Sequence, residues 1–262
     1  TELATASLYL WRFIAYSLLT MIIAYTKVLK KWALEGLWFS GILIGFFGIV
    51  QYFLYPNLRN LAYLGWDPHE FRVFSTLLDP NFTGILLVAT LILSLKMFRP
   101  KKTQRNIFIF IASGVCILAL LLTYSRGSYL AFIAALLGIA LIRKKPKVIL
   151  TAITGFVLLL FLLPRPSGEG VRLERIISVE SRITNSQEAM NLFLKSPIIG
   201  VGFDTLRYVR EKTEIVAGST QVSHSGAGFH NSYFFILATT GIAGLLSYFW
   251  IWRKLFESTH EK

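Results

Sequence analysis

Long apolar runs separated by short, mostly basic segments set the pattern of this sequence. The first run, Leu8 to Tyr25, ends at Lys27, Lys30 and Lys31, and the second is Leu34 to Leu54. A polar loop over 55–78 carries Arg59, Asp67, His69, Glu70 and Arg72. Asp79-Pro80-Asn81 then opens a third run that reaches Met97, with Asp79 placed to cap and Pro80 suited to the first helical position. Ile107 to Ile142 is apolar except for Thr123-Tyr-Ser-Arg-Gly-Ser128. As one helix it would be about 54 Å long, against a hydrocarbon core of about 30 Å. The spacing therefore predicts a break near Ser125-Arg126-Gly127, and a fourth and a fifth span. Val148 to Leu163 forms a sixth and Tyr233 to Trp252 a seventh.

Between the last two runs lies a polar segment, 164–229, too polar to span and too long for a simple connector. Two short helices are expected in it. Thr184-x-x-Gln187 has the form of a capping box ahead of Ala189, Met190, Leu192 and Phe193, with Pro197 just past the end. Asp204 is placed to cap a second helix carrying Leu206 and Val209. The Ser/Gly-rich stretch from Ala217 to Gly228 suits a lid.

Composition sharpens the class. Hydrophobic residues make up 54% of the 262-residue chain and charged residues only 16%, where a soluble domain would have about a quarter charged. The alternation of a membrane β-barrel is absent. The reading is an all-α integral membrane protein, a bundle of about seven transmembrane helices with a long, partly helical extracytoplasmic loop. The net charge of +13 sits mostly in the loops, which makes it a topology signal and not a nucleic-acid surface. Lys27/Lys30/Lys31, the 96–105 loop, the 143–147 loop and Arg253/Lys254 all fall on one side if seven spans alternate. That side is cytoplasmic by the positive-inside rule. The 55–78 loop, Arg126, the 164–229 segment and His230 then share the extracytoplasmic face. Cys116 is the only cysteine, so no internal disulfide is possible. The chain starts Thr-Glu-Leu, and is expected to be the C-terminal portion of a longer protein.

Three residues stand out chemically. Arg126 lies alone at a turn between apolar helices, where it is either a snorkelling arginine or a phosphate ligand with a planar fork of donors. Arg182 lies in the polar segment, where taken alone it reads as a solvated surface arginine. His230 heads the last run, and either helps Asn231 or Ser232 cap it or serves as a general base. Gly200-Val-Gly202 lacks the third glycine and the preceding strand of a nucleotide loop, and is expected to make a tight turn after Pro197. There is no metal-ligand spacing.

Taken in order, Arg72, Asp79-Pro80-Asn81, Thr123-Tyr-Ser-Arg-Gly-Ser-Tyr129, Ser181-Arg182, Pro197-Ile-Ile-Gly-Val-Gly202, His230-Asn-Ser-Tyr233 and Gly241-Ile-Ala-Gly244 resemble the motifs of the O-antigen ligase and polymerase superfamily. The resemblance covers about 71–248. It implies a GT-C-like membrane glycosyltransferase of the bacterial cytoplasmic membrane, active on the periplasmic face in cell-surface polysaccharide biosynthesis. Such an enzyme moves a glycan from an undecaprenyl-diphosphate carrier to an acceptor hydroxyl on a glycan or lipid. The resemblance further implies that Arg126 and Arg182 hold the diphosphate and that His230 activates the acceptor. Arg72, Asn81, Ser125, Asn231 and Tyr233 are then supporting residues, and no metal or other cofactor is involved. Members have about twelve spans, so about five are expected to precede this chain. They also carry a tryptophan near the positions of Asn185 and Ser186, which this chain lacks. Two alternatives stay open: a polymerase of the same superfamily, and a transporter of the same lipid-linked glycan.

Overall fold

The computed structural model describes residues 2–64, 66–98, 103–144, 146–164, 166, 171, 177–203, 205–206, 208–209, 228–229 and 231–260. All regular structure among them is helical. The helices are α1 (Glu2–Tyr25), α2 (Lys27–Leu54), α3 (Pro80–Met97), α4 (Thr103–Leu122), α5 (Arg126–Arg143), α6 (Pro146–Leu162), α7 (Ile177–Lys195) and α8 (Ser232–His260), with short 3-10 turns at Arg59–Leu64 and Ser75–Leu77. Seven of these helices hold the seven apolar runs. Four of them, α2, α3, α4 and α8, are long and apolar enough to cross a membrane by length and composition, while α1, α5 and α6 carry shorter apolar stretches. The chain divides into two compact units, one of 21–60 and 67–174, the other of 1–20, 61–66 and 175–262.

In the first unit α3 is the central helix, packed on α2, α4 and α5. Its inward positions alternate small and large: Thr83, Gly84, Leu87, Val88, Thr90, Leu91, Ser94 and Met97 are buried. The buried hydroxyls are satisfied locally. Thr83 donates to Phe74 O at 2.7 Å, Thr90 to Leu86 O at 2.8 Å, and Ser94 accepts from the indole of Trp38 at 2.8 Å. On α2, Gly41, Gly45 and Gly48 face this core; a Cβ on Gly41 would stand 1.8 Å from Thr90 Oγ1, and one on Gly48 2.7 Å from Val73 Cγ1. Small residues at such spacing let helices approach where lipid supplies no hydrophobic drive of its own. Leu58, Val73, Leu87, Ala119, Leu120, Tyr124 and Phe156 fill the interior. Outward, Phe110 on α4 and Leu141 and Ile142 on α5 are each more than four-fifths exposed, an apolar exterior suited to a bilayer and not to water.

The predicted break between the fourth and fifth runs is there: α4 stops at Leu122, Tyr124 takes a left-handed φ of 49°, and α5 starts at Arg126. Asp79 caps α3 with Pro80 in its first turn, also as predicted.

In the second unit α7 packs on α8. Two sequence expectations are corrected here. Thr184 does not start a helix. Ile177 to Ile183 contains no breaker and is itself helical, so Thr184 lies inside α7. The helix does end at Lys195, before Pro197. The last apolar run is not one continuous helix either, because Gly241 stands at φ 65°, ψ −165° in its middle. A straight helix would separate Tyr233 from Phe249 by about 24 Å. Instead their rings stack at 5.9 Å, and Tyr233 also meets Tyr248 edge-on at 6.1 Å, so the segment before Gly241 folds back on the one after it. The expected cap at Asp204 lies outside the described residues.

Candidate active site

Four predicted residues, Arg72, Asn81, Ser125 and Arg126, come together in the first unit, and the sequence around them shows how. Gln51, near the end of α2, organises the segment that carries Arg72. Its Oε1 accepts from Phe74 N at 3.0 Å and Ser75 N at 3.1 Å, while its Nε2 donates to Tyr55 O at 2.8 Å and Arg72 O at 3.3 Å. Held this way, the segment closes the end of α4. Val73 N donates to Leu122 O at 2.8 Å and Arg72 Nε to Thr123 O at 2.8 Å. Helix-end carbonyls have no partner of their own, and these two are satisfied by the 72–73 backbone and side chain. Arg72, only 4% exposed, therefore latches the turn that precedes Arg126. The Tyr124 hydroxyl, donating to Pro164 O, fixes the same turn from its other side.

Ser125 caps α5, accepting from Ser128 N, and donates its own proton to Asn81 Oδ1 at 2.9 Å. Ser128 Oγ lies 2.9 Å from Ser125 Oγ and 3.3 Å from Asn81 O. Asn81 belongs to the first turn of α3, whose cap Asp79 accepts from Asn81 N and Phe82 N at 2.7 Å each. Gly84 makes this approach possible, since a Cβ there would stand 2.3 Å from Ser128 Oγ. The starts of α3 and α5 are thereby tied together. Each contributes partial positive charge and backbone N–H groups. Arg126, the first residue of α5, is half-buried beside them. An arginine at the junction of two helix N-termini is a setting for an anion.

The second unit holds Arg182, Asn231 and Tyr233. Arg182 is exposed on α7. Beyond α7, the Pro197–Gly202 segment docks on the break in α8. Val201 N donates to Ala238 O at 2.9 Å and Gly202 N to Thr239 O at 3.0 Å; Ile242 N donates to Pro197 O at 2.9 Å and Ala243 N to Ile198 O at 3.3 Å. The carbonyls freed on one side of Gly241 and the amides freed on the other are thus both paired, which a broken helix in a membrane requires. The contact is backbone to backbone. A Cβ on Gly241 would stand 2.3 Å from Ile198 O, and one on Gly200, at φ 69°, would stand 2.4 Å from Thr239 C. The tight turn predicted for Gly200-Val-Gly202 is present, and its purpose is this clip.

Asn231 Oδ1 accepts from Tyr233 N at 2.9 Å and Phe234 N at 3.4 Å, so Asn231 caps α8. Tyr233 is spent in aromatic contact with Phe249 and Tyr248. His230 lies outside the described residues; it precedes this cap by one position in the sequence. Arg182 and the first turn of α8 meet in an open cleft of about 380 Å³, lined by Arg182, Ile183, Ser186, Gln187, Met190 and Phe234.

Sequence reasoning missed Gln51, Ser128, the partnership of Gly200 with Gly241, and the cleft residues Met190 and Phe234. Gln51 did leave a signal, as a lone amide inside an apolar run.

An all-helical membrane protein with a basic turn between apolar spans and a polar segment before the last one is the class these observations define. The O-antigen ligase family model matches residues 111–249, more than half of the chain, and the protein belongs to that family. The match takes in Arg126, Arg182, the Pro197–Gly202 clip and Gly241. No curated protein and no solved structure shows detectable similarity to it. The family carries transfer chemistry of the O-antigen ligase or polymerase type in bacterial membranes, on a lipid-linked glycan donor and a glycan acceptor.

Proposed function

We propose that this protein transfers a glycan from undecaprenyl diphosphate to an acceptor hydroxyl on the extracytoplasmic face of the cytoplasmic membrane, without a metal. The observation that carries the reading is the setting of Arg126: a half-buried arginine at the start of α5, on a turn that Ser125 and Asn81 tie to the start of α3. The acceptor hydroxyl loses its proton to His230 and its oxygen attacks the anomeric carbon of the donor. The bond from that carbon to the diphosphate oxygen breaks, and its electron pair stays on the diphosphate. Charge grows on the leaving group as the bond breaks, and fixed cations and helix N-termini in a water-poor site stabilise it. Arg126 and Arg182 are assigned to this charge, and His230 is assigned as base. Arg72, Asn81 and Ser125 hold the turn that carries Arg126, while Asn231 and Tyr233 fix the helix start that follows His230.

A polymerase uses the same groups with a second lipid-linked chain as acceptor. A carrier for the donor is less favoured by the break in α8. Broken helices in transporters leave backbone groups to bind cargo, whereas here the groups freed at Gly241 are taken by residues 197–202.

Deleting the gene in its host tests this reading. Polyprenyl-linked glycan should accumulate on the outer leaflet, open to added periplasmic glycosidase, while surface polysaccharide is lost. Glycan trapped on the cytoplasmic leaflet would instead make the protein a carrier.

A further inference from the structure

Four residues other than glycine take a left-handed backbone within one short segment: His69 at φ 42°, Phe71 at 50°, Ser75 at 51° and Leu78 at 57°. Among the described residues only two others do so, and one of them is Tyr124, at φ 49° in the turn before Arg126. Such backbone is unfavourable for these side chains and persists only where the surroundings over-determine it. Strain of this kind gathers where a structure has to hold one geometry. The surroundings that hold it here can be named. Leu58 N donates to Pro68 O at 2.7 Å and Phe71 N to Pro56 O at 2.8 Å, which closes the segment on the residues that follow α2. Ser75 Oγ donates to Ile44 O at 2.8 Å and Thr83 Oγ1 to Phe74 O at 2.7 Å, which fastens its far end to α2 and α3. Gly48 lets the segment lie close to α2, since a Cβ there would stand 2.7 Å from Val73 Cγ1.

Gln51 stands between these anchors. Its oxygen accepts from two backbone N–H groups, of Phe74 and Ser75, and its nitrogen donates to two carbonyls, of Tyr55 and Arg72. Both lone pairs and both protons of the amide are thus used, and no side chain but an amide offers that set. The stretch it grips, 72–75, is the one that closes the end of α4. Arg72 Nε reaches Thr123 O and Val73 N reaches Leu122 O, each at 2.8 Å. Tyr124, Ser125 and Arg126 follow directly in the chain. A close-packed interior transmits strain, so a shift at Gln51 is passed on to that turn. We propose that Gln51 is a positioning residue for the anion site at Arg126: it touches no ligand, and sets the affinity of the site for a diphosphate through the 72–75 backbone. This rests on the proposed function in taking Arg126 as a diphosphate ligand.

Equilibrium binding of inorganic pyrophosphate to the complete natural chain in lipid nanodiscs tests this as a double-mutant cycle. Gln51→Met, neutral and of similar length, should weaken binding about tenfold. Arg126→Gln should weaken it as well. In the Arg126→Gln background, Gln51→Met should then change binding by less than about twofold, because residues that act through one another are not additive and independent ones are. A merely structural role predicts the same loss in both backgrounds. Gln51→Glu keeps the oxygen that accepts from Phe74 N and Ser75 N, and replaces Gln51→Met if that protein does not accumulate; the same cycle subtracts the effect of its charge. Trp38→Phe removes the α2 indole bond to Ser94 and is the stability control. It should lower the unfolding midpoint and leave pyrophosphate binding unchanged. Additive losses, wild-type affinity in the Gln51 variant, an equal loss in Trp38→Phe, or failure of both Gln51 variants to accumulate would each overturn this inference alone. Unweakened binding in Arg126→Gln, or no binding to the wild type, would overturn the diphosphate reading of Arg126 and this inference with it.

Discussion

Arg126 differs from the basic residues of the loops in the turn that carries it. Ser125 beside it is both the cap of α5 and a hydrogen-bond donor to Asn81, and the turn before it is closed by Arg72 on Thr123 O. If Arg126 reads a diphosphate through its planar fork of donors, lysine is a poor replacement, because it keeps the charge and loses the bidentate geometry. Arg126→Lys should lose most transfer activity while the protein inserts and accumulates normally, measured as product per unit of purified enzyme. Near-normal activity would reduce Arg126 to a membrane-level surface cation. At this scale the sequence was a good guide where a polar residue interrupts apolar surroundings, as with Arg126 and Asn81. It was a poor guide to Arg72, whose loop position gave no sign that it would be buried.

The elements were legible wherever hydropathy changes. α3 and the α4–α5 break fall where the runs and the cap at Asp79 put them, while α2 ends with its run at Leu54 but begins at Lys27, taking Lys27, Lys30 and Lys31 into the helix. The break in α8 was not legible, because unwinding one residue leaves the side chains on both sides equally apolar. Gly241 and Gly244 were visible in the sequence, yet the partner that makes Gly241 necessary, residues 197–202, is some forty positions away and meets it only through backbone atoms. The capping-box reading of Thr184 failed for a related reason: the residues before it can be helical as readily as those after it. The clip makes a direct prediction. Gly241→Ala and Gly200→Ala each place a side chain at positive φ, costing about 1–2 kcal/mol for the left-handed backbone alone, and each drives a Cβ into main-chain atoms that cannot give way. Both should lower the thermal unfolding midpoint of the solubilised protein. Gly138→Ala on α5, where a Cβ would meet nothing within 4 Å, should leave it unchanged or raise it. Equal midpoints for all three would contradict the clip.

For the molecule as a whole, apolar runs and basic loops were enough to read an all-helical membrane protein, and ordered motifs were enough to read its family, which the match over 111–249 shows. The candidate chemistry is spread over both units, with Arg126 in one and Arg182 in the other, separated by fifty-six positions of sequence. A hydropathy pattern can single out such a group but not say which of them act on one ligand, because it reads helices one at a time. His230 is where the whole account meets a single proton. Its neighbour Asn231 already caps α8, so His230 is not needed for that task. The most direct measurement is glycan transfer by purified His230→Gln protein in lipid, with the complete natural chain. Glutamine keeps polarity and donors but cannot accept the acceptor's proton. The account predicts a rate lower by about 10²–10⁴, the usual contribution of a general base, with polyprenyl-diphosphate binding retained. Transfer at the wild-type rate would contradict it.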